Sequence, residues 1–187
     1  MCPVPAADNV DGVMDSCRLP DGTPFRLRAV VGTDRQVLQD MYAALSQVSR
    51  HGRFHAAPPR LSERVLDRLV DDVDQIDHVA VLLLAPAGTV DEAPVGVARM
   101  IRYSYDRSTA DIALAVADVW QNRGVGSALA RAIVAHRPSG VTRLVTVVAA
   151  DNAASLATLA GLGTVERSPA GAGQYDVTVT LTAPASE

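Results

Sequence analysis

The sequence predicts a mixed α/β fold: one mixed sheet with helices packed on both faces. Three observations carry this. Strand-like runs at 78–85, 94–103 and 109–116 are separated only by short turns, the pattern of an antiparallel meander. Two helical stripes precede the meander. After it come a glycine-bearing turn, a helix, an apolar strand, a second helix and an alternating strand. The predicted order is β-α-α-β-β-β-α-β-α-β.

Each element follows from its residues. Residues 1–23 are rich in Pro, Asp and Gly and lack a period, so they read as a flexible arm, with one domain over 24–187. Residues 24–31 alternate as a strand. Thr33 and Gln36 have capping-box spacing, and Val37, Leu38, Met41, Tyr42 and Leu45 follow at helical spacing. Residues 46–59 read as a basic, histidine-containing loop. Ser62 reads as the cap of a helix whose stripe is Val65, Leu66, Leu69, Val70 and Val73. A helix is predicted over 124–136, with Val125, Leu129, Ala132 and Ile133 on one face. Residues 141–149 are apolar at successive positions, as in a strand buried on both faces. A short helix over 151–162, capped by Asp151 or Asn152, and a strand at 174–181 complete the fold.

Composition narrows the function. The 187 residues are 48% apolar and 20% charged, with a net charge of −4 and a pI near 5.5. That balance argues against a nucleic-acid binder held by phosphate contacts. All 17 basic residues are arginine, which excludes a lysine Schiff base or P-loop cation. The longest apolar run, 79–85, is too short to span a bilayer, so no membrane association is expected. Residues 1–17 lack Lys, Arg and a sustained apolar stretch, unlike a secretory signal. Cys2 and Cys17, both near the N-terminus, suggest a reducing cytoplasm rather than a disulfide framework.

The segment 114–127 carries the chemistry. A strand runs into a tight turn holding Gln121, Asn122, Arg123, Gly124 and Gly126, and a helix starts there. Glycine lets backbone approach a ligand, and the first amides of a helix have no intrahelical acceptor. Together these suit a phosphate, although a tight turn alone also accounts for the glycines. A Walker loop fails for want of lysine. A dinucleotide fingerprint fails because Leu129 stands where its third glycine belongs, and too little chain follows Asp151 for the missing βα units. The pattern Q/R-x-x-G-x-G/A is met at every specified position of 121–126.

On those residues the chain resembles the GNAT superfamily of N-acetyltransferases, over about residues 24–182. The resemblance implies acetyl-CoA as co-substrate. Its pyrophosphate would lie on Asn122, Arg123, Gly124, Val125, Gly126 and Ser127, with Gln121 alongside. Its pantetheine arm would pair with Leu114, Ala115 and Val116, in a gap where the fourth and fifth predicted strands, 109–116 and 141–149, splay apart. Asn152 and Ser155 match the family's N-x-x-S/A pattern beside the thioester. Residues 46–54 resemble the S-x-x-S-R-x-x-R-F segment of the branch containing bacterial protein-lysine acetyltransferases. Ala110-Asp-Ile-Ala113 is similar to that branch's A-E-x-A, with Asp111 in place of its catalytic glutamate. Leu159 stands where many relatives carry a general-acid tyrosine.

The expected activity is transfer of an acetyl group to a primary amine, on a protein lysine or a small molecule, by direct attack. Asp111 is the candidate base, acting through water, against a plain reading in which it pairs with Arg99 or Arg102 across the meander. Ser49, Arg50, Arg53 and Tyr103 are the candidate acceptor-site residues. No metal is expected, since His51 and His55 flank Gly52 in a predicted loop. The competing reading is a non-catalytic acyl-CoA-binding module, favoured by Asp111 and by the missing tyrosine. A homodimer would pair through 174–181 or the 94–103 edge.

Overall fold

The computed structural model describes residues 13–54 and 58–182, with backbone alone for 13–16 and 51–54. Its sheet has eight strands in the order β1-β2-β3-β4-β5-β6-β8-β7. These are β1 Val13–Arg18, β2 Pro24–Ala29, β3 His78–Ala85, β4 Ala93–Arg102, β5 Thr109–Val116, β6 Arg143–Ala149, β7 Gly163–Gly171 and β8 Gln174–Leu181. The helices are α1 Arg35–Ala44, α2 Gln47–Phe54, α3 Glu63–Leu66, α4 Val125–Ala135 and α5 Ala153–Ala160. The mixed α/β class is as expected. β5 and β6 run parallel, while the other neighbouring strands run antiparallel.

β3 explains the layering. All eight of its residues are buried. Val79, Val81 and Leu83 pack with Leu129 and Ile133 of α4, while Ala80, Leu82 and Leu84 pack with Leu38 and Tyr42 of α1, Leu66 of α3 and Val70 just beyond it. Successive strand residues point to opposite faces, so a strand covered twice is continuously apolar. Gly96 brings α4 close to β4: a Cβ there would lie 2.7 Å from Leu129 Cδ1.

Several sequence expectations need correction. Residues 13–18, assigned to a flexible arm, form β1 and pair with β2, and Leu19 joins the core. Cys17 is disulfide-bonded. Residues 47–54, assigned to a loop, are helical. β7 was absent from the predicted order; most of it is exposed, so it lacks the apolar alternation that marks a strand. β6 is buried on one face only, through Leu144 and Val148, and Val147 is 42% exposed on the other. The strands proposed to offer open edges, β4 and β8, are both interior, and the edges belong to β1 and β7.

One helix start and one helix interior also differ, while Ser62 is the N-cap residue of α3 as expected. Asp34, not the Thr33–Gln36 pair, sets the entry to α1: its carboxylate accepts from the Val31 amide at 2.8 Å and from Arg28 twice at 2.7 Å. The stripe 62–73 begins as α3 and continues as a π-helical turn, Asp67–Asp71. The guanidinium of Arg99 donates to the Arg68 and Leu69 carbonyls of that turn, which satisfies acceptors released from the regular ladder.

Candidate functional site

The site is a fork in the sheet. β5 and β6 pair at Thr109, Ala110 and Asp111 and no further, although β5 runs on to Val116. In the antiparallel ladder with β4, the Ala117 amide donates to Val95 and the Tyr103 amide to Thr109. Backbone groups alternate in direction along a strand, so odd-numbered residues of β5 serve β4. Ile112, Leu114 and Val116 therefore turn their amides and carbonyls toward the fork. Ala115, expected to do the same, turns its backbone to β4.

At the mouth of the fork the chain forms the turn before α4. Asn122 has φ 59° and Gly124 has φ 88°, both left-handed. Gly124 is the N-cap of α4, and the helical ladder begins with the Ala128 amide donating to Gly124. The amides of Val125, Gly126 and Ser127 precede that first bond, and the positive end of the helix dipole lies with them. Gly124 is glycine for two reasons. Its φ disfavours a side chain, and a Cβ would sit 2.7 Å from Pro20 Cδ. At Gly126 a Cβ would meet nothing nearer than Thr158 Oγ1 at 3.8 Å.

The turn is braced from both sides. On one side Arg123 donates to Asp21 at 2.6 and 2.9 Å and to Thr23 at 3.1 Å, and its guanidinium lies 4.1 Å over Trp120. Bonds from the amide and hydroxyl of Thr23 and from Arg123 hold Asp21 down to about 2. On the other side Asp118 accepts from the Ser46 amide (2.6 Å), the Ser46 hydroxyl (3.0 Å), the Ser49 hydroxyl (2.6 Å) and Gln121 Nε2 (3.1 Å). Burial pushes the Asp118 carboxyl up, but these donors outweigh it and keep it below the usual carboxylate range. Gln121 also donates to Ser49 Oγ and to the Val116 carbonyl. Asp118 thus caps α2 from another element and ties it to the turn.

The remaining candidates divide. Asp111 lies at the base of the fork, partly buried, with Ile101 opposite it across β4. Tyr103 stacks on Tyr105 at a centroid distance of 5.1 Å, and burial together with the Asp111 charge raises its hydroxyl pKa. Arg50 donates to the Leu45 and Ala43 carbonyls and lies 5.0 Å over the Tyr42 ring. Ser49 belongs to the Asp118 brace. Asn152 caps α5 through a 3.0 Å bond from the Ser155 amide. Leu159 is buried in the core. The side chains of His51 and Arg53, and all of His55, lie outside the described residues. Sequence reasoning missed Asp118 and Asp21. Asp118 had one signal, an acidic residue three before Gln121; Asp21 had none, being 102 residues from its partner.

Among the described residues, no helix is long and apolar enough to cross a membrane. Residues 25–165 match the family model of the acetyltransferase (GNAT) domain. The structure is similar to the GNAT domain of S. lividans PAT (TM-score 0.78, 23% identity, 93% of this chain and 99% of that one). It is also similar to a putative acetyltransferase from Salmonella typhimurium solved with its cofactor acetyl-CoA (TM-score 0.62, 15% identity, 87% and 96% coverage). A third neighbour is a cAMP-binding acyltransferase from Mycobacterium smegmatis (TM-score 0.60, 24% identity); the match covers 90% of this chain but 47% of that one. With the family model spanning most of its length and the sheet forked beside a glycine-capped helix, the chain belongs to the GNAT acetyltransferase family.

Proposed function

We propose that this protein transfers an acetyl group from acetyl-CoA to a primary amine, on a protein lysine or a small molecule, by direct attack. The observation that carries the proposal is the fork, three paired residues that open beside the unbonded amides of a glycine-capped helix. The donor set fits the coenzyme. Leu114 and Val116 offer backbone groups to an extended, amide-bearing arm, and the amides of Val125, Gly126 and Ser127 suit a pyrophosphate. Acetyl-CoA, when bound, supplies the acetyl group activated as a thioester.

The chain's own residues have three tasks. The α4 amides fix the phosphate end, and the Asp118 and Asp21 braces keep the turn in its left-handed form. The backbone of β5 aligns the arm along the fork. Asp111 takes the proton of the attacking amine through a water. A lysine amine of pKa about 10.4 is ~0.04% neutral at pH 7, a cost near ~4.6 kcal/mol that a nearby base offsets in part. No covalent enzyme intermediate is needed.

The test begins with isothermal titration of acetyl-CoA, with NAD and ATP as controls. Saturable binding of acetyl-CoA alone is expected, followed by turnover with a lysine peptide or a small amine. Absence of binding at millimolar ligand refutes the coenzyme site. Binding without turnover of any amine refutes the catalytic assignment and favours a sensing module.

A further inference from the structure

We infer that the acyl site accepts short alkyl chains longer than acetyl, in a cavity beside the fork that favours a butyryl tail over an acetyl one. This rests on the acyl-CoA reading above and adds the donor class to it.

The cavity has a volume of about 40 Å³ and lies between α1, the α3 turn and the inner strands. Met41 and Leu69 line its helical side, and Val97, Arg99, Ala113 and Ala115 line its sheet side. Its place relative to the fork decides its use. On the α4 side, the base of the fork is filled by Ile112 and Leu144, 1% and 0% exposed. On the opposite face Ala113, two residues beyond Asp111, puts a single methyl against the cavity. A chain that reaches the end of the fork therefore finds room on the α1–α3 side.

The lining selects the chemistry. Arg99 is the charged group of the lining and is 6% exposed. Its guanidinium already donates to the Arg68 and Leu69 carbonyls and to His78. The remaining lining is apolar apart from the Tyr42 hydroxyl, which donates to the Pro58 carbonyl at 2.7 Å. The space thus suits an alkyl tail rather than a carboxylate-bearing one. A water-sized group needs about 10–15 Å³ of such volume, so the cavity holds about three. Propionyl and butyryl groups fit within that limit and octanoyl does not.

The test is titration of the full-length chain, without acceptor, with coenzyme A and its acetyl, propionyl, butyryl, octanoyl and succinyl thioesters. Affinity is expected to rise by about fourfold per added methylene and so to reach about fifteenfold at butyryl. Octanoyl-CoA is expected to bind more weakly than butyryl-CoA. Ala113→Leu fills the cavity and should bring butyryl-CoA back to the acetyl-CoA affinity. Leu69→Ala enlarges it and should move the optimum to a longer chain, so either variant tests the cavity if the other fails to fold. Butyryl-CoA binding no tighter than acetyl-CoA overturns the inference and leaves acetyl transfer standing. Succinyl-CoA binding tighter than butyryl-CoA also overturns it, in favour of recognition by Arg99. Failure of coenzyme A and every thioester to bind overturns the coenzyme site, and this inference with it.

Discussion

Gly124→Ala and Gly126→Ala form a matched pair that separates the work of the turn from that of its sequence motif. At Gly124 the backbone has φ 88° and ψ 0°. A left-handed conformation costs a non-glycine residue about 1–2 kcal/mol. The new Cβ would also lie 2.7 and 2.9 Å from the Pro20 ring, so the β1–β2 turn must move. Overpacking of that kind costs about 1–3 kcal/mol. Together the two effects predict a loss of ~2–5 kcal/mol, or a fall in Tm of about 4–20 °C for a domain of this size. Moving the turn also misaims the amides of α4. Losing one hydrogen bond to a charged phosphate costs about 1.5–3 kcal/mol, so Kd for acetyl-CoA should rise by roughly 10–100-fold. At Gly126 the nearest atoms to a new Cβ are at 3.8 and 4.0 Å, ordinary contact distances. Alanine is also the better helix former by about 1 kcal/mol, so Gly126→Ala should match or exceed the wild-type Tm and bind within about threefold. Differential scanning fluorimetry and calorimetric titration measure both quantities. Equal Tm and equal Kd for Gly124→Ala and wild type would refute the argument, as would a larger binding loss in Gly126→Ala.

Three further outcomes are expected. Asp111→Asn should lower kcat by about 10²–10⁴-fold with KM for acetyl-CoA nearly unchanged, while Asp111→Glu keeps most of the activity; steady-state kinetics with both variants checks this, and unchanged kcat in Asp111→Asn removes the residue from catalysis. Asp118→Ala should strand the donors of Ser46, Ser49 and Gln121, destabilise the start of α2 by about 1 kcal/mol and speed amide exchange across 47–54; exchange as slow as in wild type contradicts the brace. His78 has its pKa lowered by burial and by the neighbouring Arg99 charge. The unfolded chain then binds the proton more readily than the folded one, so stability is full above the unfolded value of about 6.5 and is lost as pH falls through the folded value. Tm should drop on acidification from pH 7 to 5, and the drop should be smaller in His78→Gln, whose amide can donate to the Asp72 carbonyl and accept from Arg99 as the imidazole does; parallel pH profiles would exclude His78 as the cause.

Much of the fold was legible because local pattern and burial coincide. The continuous apolar run of β3 and the alternation of β8 follow from which faces are covered, and so do the stripes of α1 and α4. The motif at 121–126 was legible for the same kind of reason. A left-handed turn feeding a helix demands glycine at a set spacing, and the tolerance at Gly126 agrees with a motif that admits alanine there. Where stabilisation comes from distant groups, local reading failed. α2 contains Gly52 and few apolar residues, yet it is held by a cap from Asp118, 72 residues from Ser46. β1 and β7 are edge strands that need only one partner, and β7 is mostly exposed, so it carries no strong apolar alternation.

The sequence by itself determined the class of fold, the turn that suits a phosphate, and Asp111 as the acidic residue on the strand leading to it. These depend on backbone conformation and apolar period, which neighbouring residues largely set. Only the tertiary structure decided that β5 and β6 part after Asp111, that Leu114 and Val116 rather than Ala115 face the gap, and that Arg50 binds the Ala43 and Leu45 carbonyls at the end of α1. It also decided that Asp21 and Asp118 brace the turn and that an apolar cavity lies against β4 and β5. Each of these is set by strand register or by pairing across long stretches of chain. Such contacts form only when the whole core closes, and they leave no period in the sequence to be read.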